Sequence, residues 1–157
     1  MLAVTGLSFH LDRLLGSAAK AEIENVPWGK EELRSIILET IAAAGRPSGD
    51  QAYFVRYWLT AGRGNFAVSP KGCTPPSFYC AVHKDAHIKV PPGVAAVTVD
   101  VPLKPPLLAT MKSNNYLLNA LVAMHAARKG AQLGVQSEDG WITGNVHKQP
   151  TVACGIC

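Results

Sequence analysis

The chain has 157 residues, a net charge of +4, and a composition that is 48% hydrophobic and 17% charged. That size and mix fit one folded domain, or two small lobes that share a core, and exclude global disorder. Acidic and basic residues are interleaved without a basic block, which argues against a nucleic-acid partner, and no apolar run approaches the ~20 residues needed to span a bilayer.

The first ten residues, MLAVTGLSFH, lack a basic leader segment and a cleavage pattern, so no secretory signal is expected. The four cysteines, Cys73, Cys80, Cys154 and Cys157, are then expected as reduced thiols. Residues 11–21 read as a helix, with Leu11, Leu14, Leu15, Ala18 and Ala19 on one face. Pro27-Trp28-Gly29 opens a second helix with Glu31 and Glu32 in its first turn. Its stripe is Leu33, Ile36, Ile37, Thr40 and Ile41, and Gly45 ends it. Residues 51–60 form the clearest strand, with Tyr53, Val55, Tyr57 and Leu59 sharing a face. A long, Gly- and Pro-rich loop follows over 61–76, then a second strand over 77–82.

Residues 84–92 mark the expected lobe boundary, since 87–92 lack periodicity. The run 94–101 is β-rich, and Pro102, Pro105 and Pro106 are expected to forbid regular structure after it. The pattern over 115–129 is the strongest helix signal, with Leu117, Leu118, Leu121, Val122 and Met124 as its expected buried stripe. Asn114 is its expected cap, and Gly130 its end. Residues 132–136 and 141–143 flank Ser137-Glu138-Asp139-Gly140, a hairpin with an Asp-Gly turn. From Gly144 onward no period remains.

Among residues that could carry chemistry, Lys112 stands out. It lies between an extended approach and a long helix, among small polar side chains. A neutral lysine amine condenses with carbonyls, and burial or a neighbouring cation favours the neutral form; the alternative is a solvated lysine at a strand-to-helix junction. Arg13 is either an anion ligand, since a guanidinium makes forked bonds to phosphate, or a surface arginine paired with Asp12 or Glu22. Cys154-Gly155-Ile156-Cys157 has redox or metal spacing, but only His147 lies near it, so no metal site is expected. His83 and His87 read as solvated loop histidines.

The stretch Thr110-Met111-Lys112-Ser113-Asn114-Asn115-Tyr116-Leu117-Leu118-Asn119 is followed by Arg128-Lys129-Gly130-Ala131 and by Glu138-Asp139-Gly140-Trp141-Ile142-Thr143. Together they resemble the fold-type IV, or class-IV, pyridoxal-phosphate-dependent aminotransferases. His10-Leu11-Asp12-Arg13-Leu14 with Ser17-Ala18 resembles a second motif of that family. The likeness covers residues ~10 to 143 in order and leans toward the plant D-amino-acid-aminotransferase-like and branched-chain aminotransferase-like members. It implies pyridoxal 5′-phosphate as cofactor, amino acid and 2-oxo acid substrates, and a homodimer in the complete family. It implies Lys112 as the Schiff-base lysine and proton shuttle and Arg13 as the phosphate ligand.

The fold implied is mixed, α+β with α/β character. A small α+β lobe over 1–86 is followed by the start of an incomplete, β-barrel-like cofactor lobe over 87–143 and an irregular tail over 144–157. Gly144 stands where the family places a glutamate on the pyridine nitrogen, which would weaken the electron sink. Ala61 stands where many D-amino acid aminotransferases carry a carboxylate-gripping arginine; Arg63 is the candidate replacement, with Arg56 behind it. The chain reads as a truncated or alternatively spliced product, impaired in transfer. Two alternatives stand beside that reading: a catalytically inactive isoform that associates with a full-length subunit, and aminodeoxychorismate-lyase-like activity. Cytoplasm or plastid is the expected compartment, with no address legible.

Overall fold

The computed structural model describes residues 4–45, 53–65, 67–84, 93–138, 141–147 and 154–156. It is a mixed α+β arrangement with two open, three-stranded sheets; among the described residues neither closes into a barrel. The chain divides into two units, one of residues 1–87, 110–114 and 152–157, the other of 88–109 and 115–151.

The first unit is built on two helices over a sheet. Helix α1, Leu7–Lys20, buries Leu7, Leu11, Leu14, Ser17 and Ala18. Helix α2, Lys30–Ala43, buries Leu33, Ile37 and Ile41. Strand β1, Tyr53–Thr60, alternates strictly and turns Val55, Tyr57 and Leu59 inward. These side chains form one core. Each fully buried Leu or Ile in it contributes about 1.5–3 kcal/mol of apolar transfer. Tyr57 and Trp28 both pack against Phe78, at ring separations of 5.9 and 6.3 Å. Helix α1 starts four residues before the expected Leu11, because Leu7 continues the same buried stripe one turn earlier. Within the expected stripe Ala19 is exposed, and Ser17 takes the buried position instead.

The helix ends are set by backbone geometry. The Glu32 carboxylate accepts the Gly29 N–H at the start of α2. Gly45, at φ +78°, closes it in the left-handed conformation that glycine tolerates. Helix α1 ends the same way without glycine: Glu22 has φ +54°, and Ile23 N donates to Ala18 O at 3.0 Å. Strand β2, Ser77–Lys84, pairs antiparallel with the whole of β1, from Tyr53 opposite Lys84 to Thr60 opposite Ser77.

The second unit holds strand β3 (Ala96–Val99), helix α3 (Pro106–Ala109), helix α4 (Leu117–Arg128) and strands β4 (Leu133–Glu138) and β5 (Trp141–His147). Strands β3 and β4 are parallel, and β4 and β5 antiparallel. Val99, Val101 and Val122 make its small core. Gly134 lets β4 approach α4: a Cβ there would sit 2.6 Å from Val122 Cγ1 and 2.9 Å from Val122 O.

Several expectations change here. Leu117 and Met124 are exposed, at 68% and 49%, while Val122 and Ala126 are buried. Helix α4 is apolar almost all round, so its period could not choose the buried face. Tyr116, not Asn114, occupies the N-cap position, without a side-chain cap. The proline-rich approach contains α3, because Pro106 sits at a first helical position where no N–H is needed. Strand β5 runs on through Gly144–His147, pairing by backbone with Leu133 to Gln136, which needs no side-chain period. Strand β6, Cys154–Ile156, pairs parallel with β1 at Tyr57 to Leu59. The Asp139-Gly140 turn, His87 and Cys157 lie outside the described residues.

Candidate functional site

The site grows from one stripe of α1. His10, Arg13 and Ser17 are spaced three and four apart, so they line up along the helix beside its buried face. Ser17 is 2% exposed, and its hydroxyl has two partners. Its Oγ–H donates to Arg13 O at 2.7 Å, and the Oγ accepts the Lys112 backbone N–H at 3.0 Å. One turn on, Lys20 Nζ donates to Thr110 Oγ1 at 3.3 Å. These two bonds moor segment 110–114 alongside α1, although ninety or more residues of chain separate the partners.

The mooring brings Lys112, distant in sequence, into one electrostatic neighbourhood with His10 and Arg13. Arg13 Nη2 donates to His10 Nδ1 at 3.0 Å. The pKa of His10 is lowered from its ordinary 6.5, first by burial, then by the positive charges of Arg13 and Lys112. Asp12, next to Arg13 in sequence, is taken by another partner: Lys30 Nζ lies 2.8 Å from both of its carboxylate oxygens. Arg13 is thus engaged with an imidazole and its guanidinium is exposed.

Two adjoining cavities, of about 640 and 330 Å³, share Ala61, Ser69, Pro70 and Cys73, and neither is lined by His10, Arg13, Ser17 or Lys112. Ser113, next to Lys112, lines the smaller one together with Ala21 and Ile23. Glu22, Glu24 and Lys71 line the larger. The loop that supplies most of these walls is pinned at its base, where Thr74 N donates to Arg63 O at 2.8 Å. Gly62 has φ +98° and packs directly on the Pro75 carbonyl, where no Cβ would fit. Arg63 is exposed and lines neither of these two cavities; Arg56 lies in β1, half-buried. The cation that the loop does bring to the larger cavity is Lys71.

A family model described as amino-transferase class IV matches residues 3–144. The chain belongs to the class-IV aminotransferase family. It is 42% identical over 137 residues to a D-amino-acid transaminase, chloroplastic, of Arabidopsis thaliana, covering 87% of this chain and 35% of that protein. It is 32% identical over 131 residues to a putative branched-chain-amino-acid aminotransferase of Methanocaldococcus jannaschii, covering 79% of this chain and 42% of that one. The chain therefore spans well under half the length of these relatives.

The family implies pyridoxal phosphate, and the donor set around α1 fits it. A phosphorylated aldehyde needs a cationic fork for its phosphate and an amine for its carbonyl. The chain offers a guanidinium in Arg13 and an amine in Lys112, both near the same imidazole, and the adjacent carboxylate, Asp12, is held by Lys30. Sequence reasoning missed the mooring by Ser17 and the part of His10. The signal was present, since both lie at helical spacing from Arg13 within one motif. The other candidates stay apart: His83 is exposed on β2, and no group of three or more His, Cys, Asp or Glu among the described residues could hold a metal. No helix among the described residues is long and apolar enough to cross a membrane.

Proposed function

We propose that this chain carries the cofactor-anchoring part of a pyridoxal-phosphate-dependent aminotransferase, one that moves an amino group between an amino acid and a 2-oxo acid. The names of the two relatives support a D-amino acid or a branched-chain substrate. The observation that carries the reading is the Ser17 hydroxyl, which holds the Lys112 backbone against the helix that bears Arg13.

When bound, the cofactor supplies an aldehyde for the amino group and an electron-withdrawing ring for the charge left on the substrate α-carbon. Arg13 binds the phosphate through its exposed N–H groups. Lys112 would hold the aldehyde end through Nζ and, once the substrate's amino group has displaced it there, the freed amine would take the substrate's α-proton and return it to the cofactor carbon. Ser17 and Lys20 orient Lys112 by fixing the backbone on which it stands. The smaller cavity, beside Ser113, receives the substrate. Gly144 offers no carboxylate to a pyridine nitrogen, so the ring withdraws electrons weakly unless another group supplies that contact. The complete enzyme is a homodimer in the cytoplasm or a plastid; the Arabidopsis relative's name places that protein in the chloroplast.

The test is to add pyridoxal phosphate and record the spectrum. A band near the visible edge, fixed by borohydride onto the peptide carrying Lys112 and lost in Lys112→Ala, is the expected result. A screen of D- and L-amino donors then names the substrate. A colourless protein with no borohydride label would overturn the reading.

A further inference from the structure

His10 plays no part in the reading above, yet both cations act on it. Its ring is held at two edges. Nδ1 receives Arg13 Nη2 at 3.0 Å, and the Cδ2–Nε2 edge lies over Gly6, where an added Cβ would sit 3.7 Å from each of those atoms. A guanidinium has donors only. Nδ1 is therefore the acceptor, and the proton of the neutral ring is on Nε2. Arg13 itself is exposed, and a long side chain in that setting samples many rotamers unless something holds it. A single bond through Nη2 holds it and leaves the other N–H groups of the fork available.

We infer that His10 is a positioning residue: as a hydrogen-bond acceptor it aims the Arg13 guanidinium at the cofactor phosphate. This rests on the reading that Arg13 meets that phosphate. The charges facing the imidazole agree with it. Arg13 of the same helix and Lys112 of the moored segment both favour the neutral ring, as does burial. The Asp12 carboxylate, which would favour the charged ring, is bound by Lys30 of α2. Protonation would remove the acceptor and set a second cation against Arg13.

The test compares the affinities for pyridoxal phosphate and for pyridoxal, from pH 5 to 8, in the wild type, His10→Leu, His10→Asn and Arg13→Gln. Their ratio reports the grip on phosphate alone. His10→Leu should lower the ratio about tenfold at pH 7.5, the scale of one hydrogen bond to a charged group, with pyridoxal affinity unchanged. His10→Asn keeps an acceptor oxygen that does not titrate. It should restore the ratio at pH 7.5 and hold it further below pH 6.5 than the wild type does. The phosphate's own titration, near pH ~6, is common to all variants and drops out of that comparison. In the ligand-free chain, nitrogen NMR should show His10 with its proton on Nε2. If His10→Leu keeps the ratio while Arg13→Gln loses it, the inference fails and the cofactor reading survives. If Arg13→Gln also keeps the ratio, or the chain binds neither compound, both fail. A proton found on Nδ1 overturns the inference alone.

Discussion

Replacing Ser17 by Ala removes one hydroxyl and two hydrogen bonds, and the two losses are unequal. The Oγ–H bond to Arg13 O is a local back-bond to a helix carbonyl that keeps its ladder partner, so its loss costs little, about 0.5 kcal/mol. The Lys112 N–H is different. It is part-buried, and Ala leaves it with no acceptor at the place where Oγ stood at 3.0 Å. An unsatisfied buried donor costs about 1–3 kcal/mol, and partial burial puts this one near the lower end. The sum is about 1.5–2 kcal/mol, concentrated in segment 110–114 rather than spread over the unit. The assay is amide hydrogen exchange read at Lys112. Exchange there should accelerate about tenfold or somewhat more, since ~1.4 kcal/mol of local opening is one power of ten. The core amides of β1 should change far less. Borohydride capture of pyridoxal phosphate on Lys112 should slow in the same variant. If the Lys112 amide exchanges at the wild-type rate in Ser17→Ala, the mooring does not exist and the site has no scaffold.

Other outcomes follow from particular backbone positions and one titration. Glu22→Gly should stabilise the chain by about 0.5 kcal/mol in denaturant unfolding, because relief of a left-handed glutamate, worth about 1 kcal/mol, is partly offset by the freer unfolded glycine. Gly62→Ala should destabilise by more than ~2 kcal/mol and deform the shared cavity wall, since its Cβ would strike the Pro75 carbonyl at φ +98°. Gly134→Ala should cost about 1–3 kcal/mol by forcing β4 away from Val122. His10 has a folded-state pKa below its ordinary 6.5, so between the two values the unfolded chain binds more protons. Stability should accordingly be full above about pH 6.5 and fall as acid is added through the lower value, and His10→Asn should remove that part of the acid sensitivity in a pH series of urea melts.

The three elements whose apolar residues follow a clean period were legible in the chain. Strand β1 alternates, α2 keeps one stripe, and α1 needed only an earlier start at Leu7. Where the period was full or missing, local pattern could not decide. Helix α4 offers apolar side chains in nearly every direction, and only the close approach of Gly134 selects Val122 and Ala126 as its inner face. Strand β5 continues past Thr143 because β4 lies opposite with free backbone groups, which no side chain announces. Arg63 looked suitable by number, but the loop's closure turns Lys71 to the larger cavity instead.

The sequence alone determined the identities: a lysine at the mouth of a helix, an arginine in a helical motif, and a family likeness that holds over most of the chain. Tertiary structure decided which of these groups act together. Lys112 comes under the influence of α1 because the hydroxyl of Ser17 is buried where the Lys112 amide needs an acceptor, and Arg13 rests on His10 because Lys30 occupies Asp12. Both are choices between partners, and a polar group's partner depends on what folding carries within three ångströms of it.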